Sequence, residues 1–193
     1  MIDAVIFDFG RVISSQKPPS LFRSYEKLLG LARNTINQIM FESRAWQDAL
    51  VGKLTAEEFW YAIGPELGLD TREEIDDFRC RCYSDESVNQ DVLSLIKMLT
   101  GRFKLAVLSN HPRGLAEWLD DWGIRHFFDV VYCSGDEGQA KPDPAVYHTA
   151  LARLGVPPYD SVFIDDTAGH VHAAQHLGMH GIVFSNADKL EQD

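Results

Sequence analysis

The chain has 193 residues, 45% of them hydrophobic and 24% charged, with a formal net charge of -11. This is a globular composition, long enough for one full domain and an accessory unit. Such acidity excludes nucleic acid and anionic membrane as main partners, since phosphate-bearing surfaces reward positive charge. A phosphate bound here needs a local positive site made by a metal, a lysine or backbone amides. Cys80, Cys82 and Cys133 are odd in number and follow no visible leader, which argues against a disulfide framework. Cys80 and Cys82 read as ordinary helix residues, not as a metal pair. No apolar run approaches the roughly 20 residues of a membrane helix. A soluble, cytoplasmic protein is expected, a monomer by default with a dimer open.

In chain order, "AVIFDF" (4–9) is a nearly continuous apolar run, the pattern of a strand buried on both faces. Helical patterns follow. "SLFRSYEKLLG" (20–30) is apolar at Leu21, Phe22, Tyr25, Leu28 and Leu29, and "NTINQIMFESRAWQDAL" (34–50) reads as the next helix. "TAEEFWYAIG" (55–64) and "TREEIDDFRCRCY" (71–83) each open with a capping box, Thr55 with Glu58 and Thr71 with Glu74. "NQDVLSLIKMLTG" (89–101) leads into the strand "KLAVLSN" (104–110). Thereafter helices and strands alternate: "RGLAEWLDDWG" (113–123), "DVVYCS" (129–134), "DPAVYHTALARLG" (143–155), "SVFIDD" (161–166), "AGHVHAAQHLG" (168–178) and "GIVFS" (181–185). Asp143 and Pro144 mark one helix start, and Gly155 and Gly178 mark helix ends. Trp118 and Trp122, four apart, predict the buried face of a helix. The aromatic residues Trp46, Phe59, Trp60 and Tyr61 read as core of the helical block, with one or two open as pocket lining. The pattern predicts an α/β fold: a Rossmann-like, three-layer α/β/α parallel sheet over 1–14 and 89–193, interrupted by an all-helical insert over 15–88.

Ligands of open parallel sheets bind beyond the carboxyl ends of the strands. There the sequence places Asp8 after the first strand, Ser109 and Asn110 after the second, and Asp165 and Asp166 after the fourth. A loop, "GQAKPDP", adds Lys141. Each residue type suits phosphoryl transfer. A carboxylate can attack phosphorus, and hard Mg²⁺ prefers carboxylate and carbonyl oxygens. A hydroxyl can bond a phosphoryl oxygen, a lysine supplies a point charge, and amides opening the next helix after Ser109 would favour an anion. His172 and His176, although at zinc-ligand spacing, read as a solvated helix face.

In these residues the chain resembles the haloacid dehalogenase superfamily, phosphatase branch. The motifs "VIFDFG", "AVLSN", "AKPDP" and "VFIDD" occur in the family's order over essentially the whole chain. The resemblance implies Asp8 as nucleophile, Ser109 as phosphate ligand and Lys141 as charge stabiliser. It implies Mg²⁺ held by Asp8, the carbonyl of Gly10 and Asp166, with Asp165 beside it. It also implies that the insert is a C1-type helical cap, which closes over the site and selects a small phosphorylated metabolite.

Three positions depart from the family pattern. Gly10 stands where the phosphatases carry a second Asp, the general acid and base. Arg11 replaces the usual glycine, and His170 stands where Asn is frequent. A similar Asp-x-Gly opening occurs in members resembling the α-D-glucose-1-phosphate phosphatases, which leans the substrate toward a sugar 1-phosphate. The missing acid is unnecessary for a good leaving group, or is replaced by His111, Arg11, Ser14 or a metal-bound water. His111 has the right pKa range for proton transfer. Asn110, Arg11 and His111 are further candidate substrate contacts. Two other readings stand beside the Mg²⁺-dependent phosphatase: a non-catalytic phosphate-binding relative, and a metal-independent 2-haloacid dehalogenase. The dehalogenase also lacks the second Asp but leaves the Asp165–Asp166 pair without a task.

Overall fold

The computed structural model describes residues 1–192. Five strands, β1 (Ala4–Phe7), β2 (Lys104–Ser109), β3 (Val130–Cys133), β4 (Ser161–Asp165) and β5 (His180–Val183), form one sheet in the order β3-β2-β1-β4-β5. Every neighbouring pair is parallel. The runs of β1, β2 and β4 are largely buried on both faces because helices cover both, while the edge strand β5 is half-buried to exposed. Val5 and Phe7 join one core with Leu105, Val107, Leu115 and Leu119. Ala4 and Ile6, pointing the other way, join a second core with Ala106, Leu108, Tyr147 and Phe163. The period-2 alternation of strand side chains thus makes the two interfaces of a three-layer α/β/α fold.

The insert between β1 and the second half of the sheet holds four named helices: α1 (Pro19–Leu29), α2 (Arg44–Leu50), α3 (Ala56–Ile63) and α4 (Arg72–Ser84). They bury a cluster of their own, with Tyr25, Ile36, Phe59, Trp60, Ile63 and Phe78 at its centre. Both expected capping boxes form, Thr55 with Glu58 and Thr71 with Glu74. The run 34–50 is not one helix. A short turn, Thr35–Asn37, and a wide turn, Gln38–Glu42, stop at Ser43, which is extended (φ -68°, ψ 159°). Its hydroxyl then accepts from the Trp46 amide at 3.2 Å and starts α2 afresh. A serine that can cap competes with its own helical conformation.

The chain leaves and re-enters the sheet domain by two adjacent strands of backbone. Ser14 bridges Val88 in antiparallel fashion, and the Asn89 amide donates to the Ile13 carbonyl at 2.8 Å. The longer helices that follow are α5 (Gln90–Leu99), α6 (Leu115–Asp121), α7 (Pro144–Leu154), α8 (Ala168–His176) and α9 (Ala187–Gln192). Trp118 and Trp122 of the α6 region are only partly buried, at the margin of the first core. Cys80 is exposed while Cys82 and Cys133 are buried, and all three are free. His172 and His176 are exposed. Among the described residues no helix is long and apolar enough to cross a membrane.

Candidate active site

Strand register decides what meets at the carboxyl edge. Phe7 pairs with both Val107 and Ile164, so Asp8 leaves the sheet beside the end of β4. The Asp8 amide still donates to the Ile164 carbonyl at 2.8 Å. Oxygen atoms of Asp8, Asp165 and Asp166 all lie within 4.8 Å of one another. Three carboxylates so close repel unless cations sit among them.

Lys141 is the first such cation. Its ammonium donates to Asp8 Oδ1 at 2.9 Å and to Asp165 Oδ2 at 2.6 Å, with a side chain 1% exposed. Asn110 fixes this lysine's backbone from both sides. Its Nδ2 donates to the Lys141 carbonyl at 2.9 Å, and the Lys141 amide donates to its Oδ1 at 2.7 Å. Asn110, expected as a substrate contact, has its amide group engaged in holding the Lys141 loop. Ser109, 3% exposed, ends β2 on the same edge. The amides after it do not open a helix, contrary to expectation. Residues 110–114 are a loop and α6 begins only at Leu115.

Asp165 is fully buried and saturated with donors. Besides Lys141 it accepts from His170 Nδ1 at 3.0 Å and from the Thr167 amide at 2.8 Å. Burial works to raise its pKa, but the bonds from His170 and Lys141 more than offset that and hold it well below the usual carboxylate range. Asp166 is set differently. Burial raises its pKa, and Arg11 opposes this through an ion pair, Nη2 to Oδ2, at 2.7 Å. His170 thus orients Asp165 and does not simply face solvent. The Tyr147 hydroxyl donates to the His170 carbonyl at 2.9 Å. Tyr147 escaped the sequence reading because only tertiary packing brings α7 against α8.

His111 is enclosed by rings, edge-on to Phe9 at 5.5 Å and to Trp118 at 5.7 Å. Its Nδ1 lies 2.7 Å from the Pro112 carbonyl, which can only accept, so Nδ1 carries the proton. Burial pulls its pKa down and keeps the ring neutral. Gly10 has ordinary backbone angles (φ -62°, ψ 123°), and a Cβ built on it would meet nothing within 4 Å. Neither conformation nor space demands glycine there. The Ser14 hydroxyl accepts from the Arg11 amide at 3.1 Å. A separate cavity of about 530 Å³ lies at the opposite, amino-terminal edge, among Asp3, Lys104 and Asp129, away from the carboxylates.

The donor set suits a hard divalent cation: three carboxylates cluster within 4.8 Å. A parallel sheet bearing such a cluster at its carboxyl edge defines the class, a Rossmann-like α/β protein with an acidic, oxygen-rich site. The haloacid dehalogenase-like hydrolase profile matches residues 2–178, and the chain belongs to that family. It is 27% identical over 199 residues to drimenol cyclase drtB of Aspergillus calidoustus, covering 100% of this chain and 36% of that protein. The chain therefore spans little more than a third of that relative's length. It is 26% identical over 187 residues to the D-ribitol-5-phosphate phosphatase of Bacteroides thetaiotaomicron, covering 92% and 89% of the two chains. Its fold is similar to that of a HAD-family enzyme of the same bacterium crystallised with magnesium and inorganic phosphate. That TM-score is 0.78 at 20% identity, over 96% and 95% of the chains.

Proposed function

We propose that the chain is a Mg²⁺-dependent phosphatase that hydrolyses a small phosphorylated metabolite through an aspartyl-phosphate on Asp8. The observation that carries this reading is the juxtaposition of Asp8, Asp165 and Asp166 within 4.8 Å, with buried Lys141 bridging two of them. It is supported by phosphatase relatives in the same family that match nearly the whole chain.

In this reading a carboxylate oxygen of Asp8 attacks phosphorus, and the bond to the leaving oxygen breaks with its electron pair. Water then attacks the same phosphorus, releases inorganic phosphate and restores the carboxylate. Asp8, Asp166 and the Gly10 carbonyl would hold Mg²⁺, which supplies Lewis-acid charge to the phosphoryl oxygens. Lys141 balances charge on Asp8 and on the transferring group, and Asp165, Asn110 and His170 keep it in place. Ser109 donates to a phosphoryl oxygen. Residues 15–88 act as the cap. Arg113 supports this: its guanidinium donates to the Gly52 carbonyl of the insert at 2.9 Å and to the Gly135 carbonyl of the sheet domain at 3.2 Å.

With Gly10 in place of an acid, the leaving oxygen departs with little help. Loss of such a group costs ~10²–10⁴-fold, so a slow enzyme or a stable leaving anion is expected. Gly10 also favours the 2-haloacid dehalogenase reading, which the Asp165–Asp166 pair weighs against. Assay with p-nitrophenyl phosphate and a panel of sugar, polyol and prenyl phosphates, with and without Mg²⁺, tests the proposal. Turnover should need Mg²⁺ and vanish in Asp8→Asn. Halide release from 2-haloacids without Mg²⁺, or identical rates for Asp8→Asn and the parent, would reject it.

A further inference from the structure

At residues 10 and 11 the sequence inverts what the backbone asks for. Arg11 sits in the left-handed region (φ 59°, ψ 5°), where glycine is unstrained, while Gly10 occupies a conformation open to any residue. A strained non-glycine residue beside an active site persists where its side chain is needed. The Arg11 guanidinium reaches Asp166 Oδ2 at 2.7 Å with a side chain 60% exposed, against 17% for the aspartate. Lys141 already serves Asp8 and Asp165 from within. Arg11 is thus the cation that faces Asp166 from the solvent side, on the carboxylate expected to take the metal directly.

We propose that Arg11 is a positioning residue that holds Asp166 as an internal counter-cation, competes with Mg²⁺ for that carboxylate, and turns to the phosphoryl group once the ion has displaced it. The proposal rests on the Mg²⁺-dependent phosphatase reading of the site. Three carboxylates facing two fixed cations leave one negative charge uncompensated, so a divalent ion is still attracted. An ion drawn onto Asp166 competes with the guanidinium that holds Oδ2 at 2.7 Å, and a guanidinium displaced from it then needs another anion. Mg²⁺ and phosphate would in this way bind interdependently, through a residue of this chain as well as through each other.

Calorimetric titration of the full chain with MgCl₂ in phosphate-free buffer tests this, repeated with saturating inorganic phosphate. Arg11→Gln should bind Mg²⁺ alone about two- to five-fold more tightly than the parent, the range that an exposed ion pair commands. The gain in Mg²⁺ affinity produced by phosphate should shrink by a similar factor. Arg11→Lys, which retains the charge, should stay near the parent in both. Equal or weaker Mg²⁺ affinity in Arg11→Gln, with the parent binding normally, overturns the role of Arg11 and leaves the site reading standing. A parent that binds no Mg²⁺, or Asp166→Asn binding it as the parent does, overturns both. Because the readout is binding, a slow or inactive variant remains informative.

Discussion

Lys141 shows how much a single side chain can carry. Its ammonium is buried between Asp8 and Asp165 and lies 5.3 Å from the centre of the Phe163 ring. A buried lysine is tolerated only because it faces two carboxylates, one of which, Asp165, is itself held by His170 and the Thr167 amide. Removing it strands two carboxylates in a low-dielectric setting. Lys141→Met should therefore destabilise the fold by ~3–5 kcal/mol, the usual cost of breaking a buried pair. Urea denaturation in the presence of EDTA measures this directly. Met keeps an unbranched, apolar side chain of nearly the same length, so the loss reports charge more than packing.

The elements place these residues through a few close contacts between insert and sheet domain. Gly52 has φ +70°, and a Cβ there would stand 2.1 Å from the Gly135 carbonyl oxygen. Arg113 crosses this same junction, while Tyr83 of α4 lies edge-on to Trp118 of α6 at 4.9 Å. The insert keeps its own apolar cluster, so loosening the junction should not unfold it. Gly52→Ala should raise hydrogen exchange over residues 44–64 and leave the amides of β1, β2 and β4 as protected as before. Mass-spectrometric exchange resolves the two regions. Faster exchange throughout the sheet would mean that the junction supports the whole fold.

For the molecule as a whole, the buried titratable groups define an acid-side stability profile. Burial pulls the folded pKa of His111 below its unfolded value of about 6.5. As pH falls through about 6.5 the unfolded chain takes up a proton that the native chain does not, and stability drops. Asp165 acts lower on the scale. Its folded pKa is depressed, so its contribution is complete above about 4 and is lost as pH falls from there. Denaturant midpoints of the parent should fall between pH 7.5 and 5.5, and again below pH 4. His111→Gln should flatten the first step and leave the second.

Local sequence pattern was enough to read the succession of strands and helices, the break in alternation after the first strand, and the acids and the lysine at the sheet edge. Those features rest on local physics: apolar runs for buried strands, caps for helices, and a sheet rule that sends ligands to carboxyl edges. The gathering of Asp8, Lys141 and the Asp165–Asp166 pair at one sheet edge was legible for that reason. Ser43 was missed as a helix break because a capping serine and a mid-helix serine read alike until the backbone chooses. Only tertiary structure decided the partners. It assigned Asn110 to the Lys141 backbone, His170 to Asp165 and Arg11 to Asp166, and it showed that Gly10 is free of any steric demand. Pairings between residues 31 and 155 positions apart in the chain are fixed by strand register and helix packing, which no local pattern encodes.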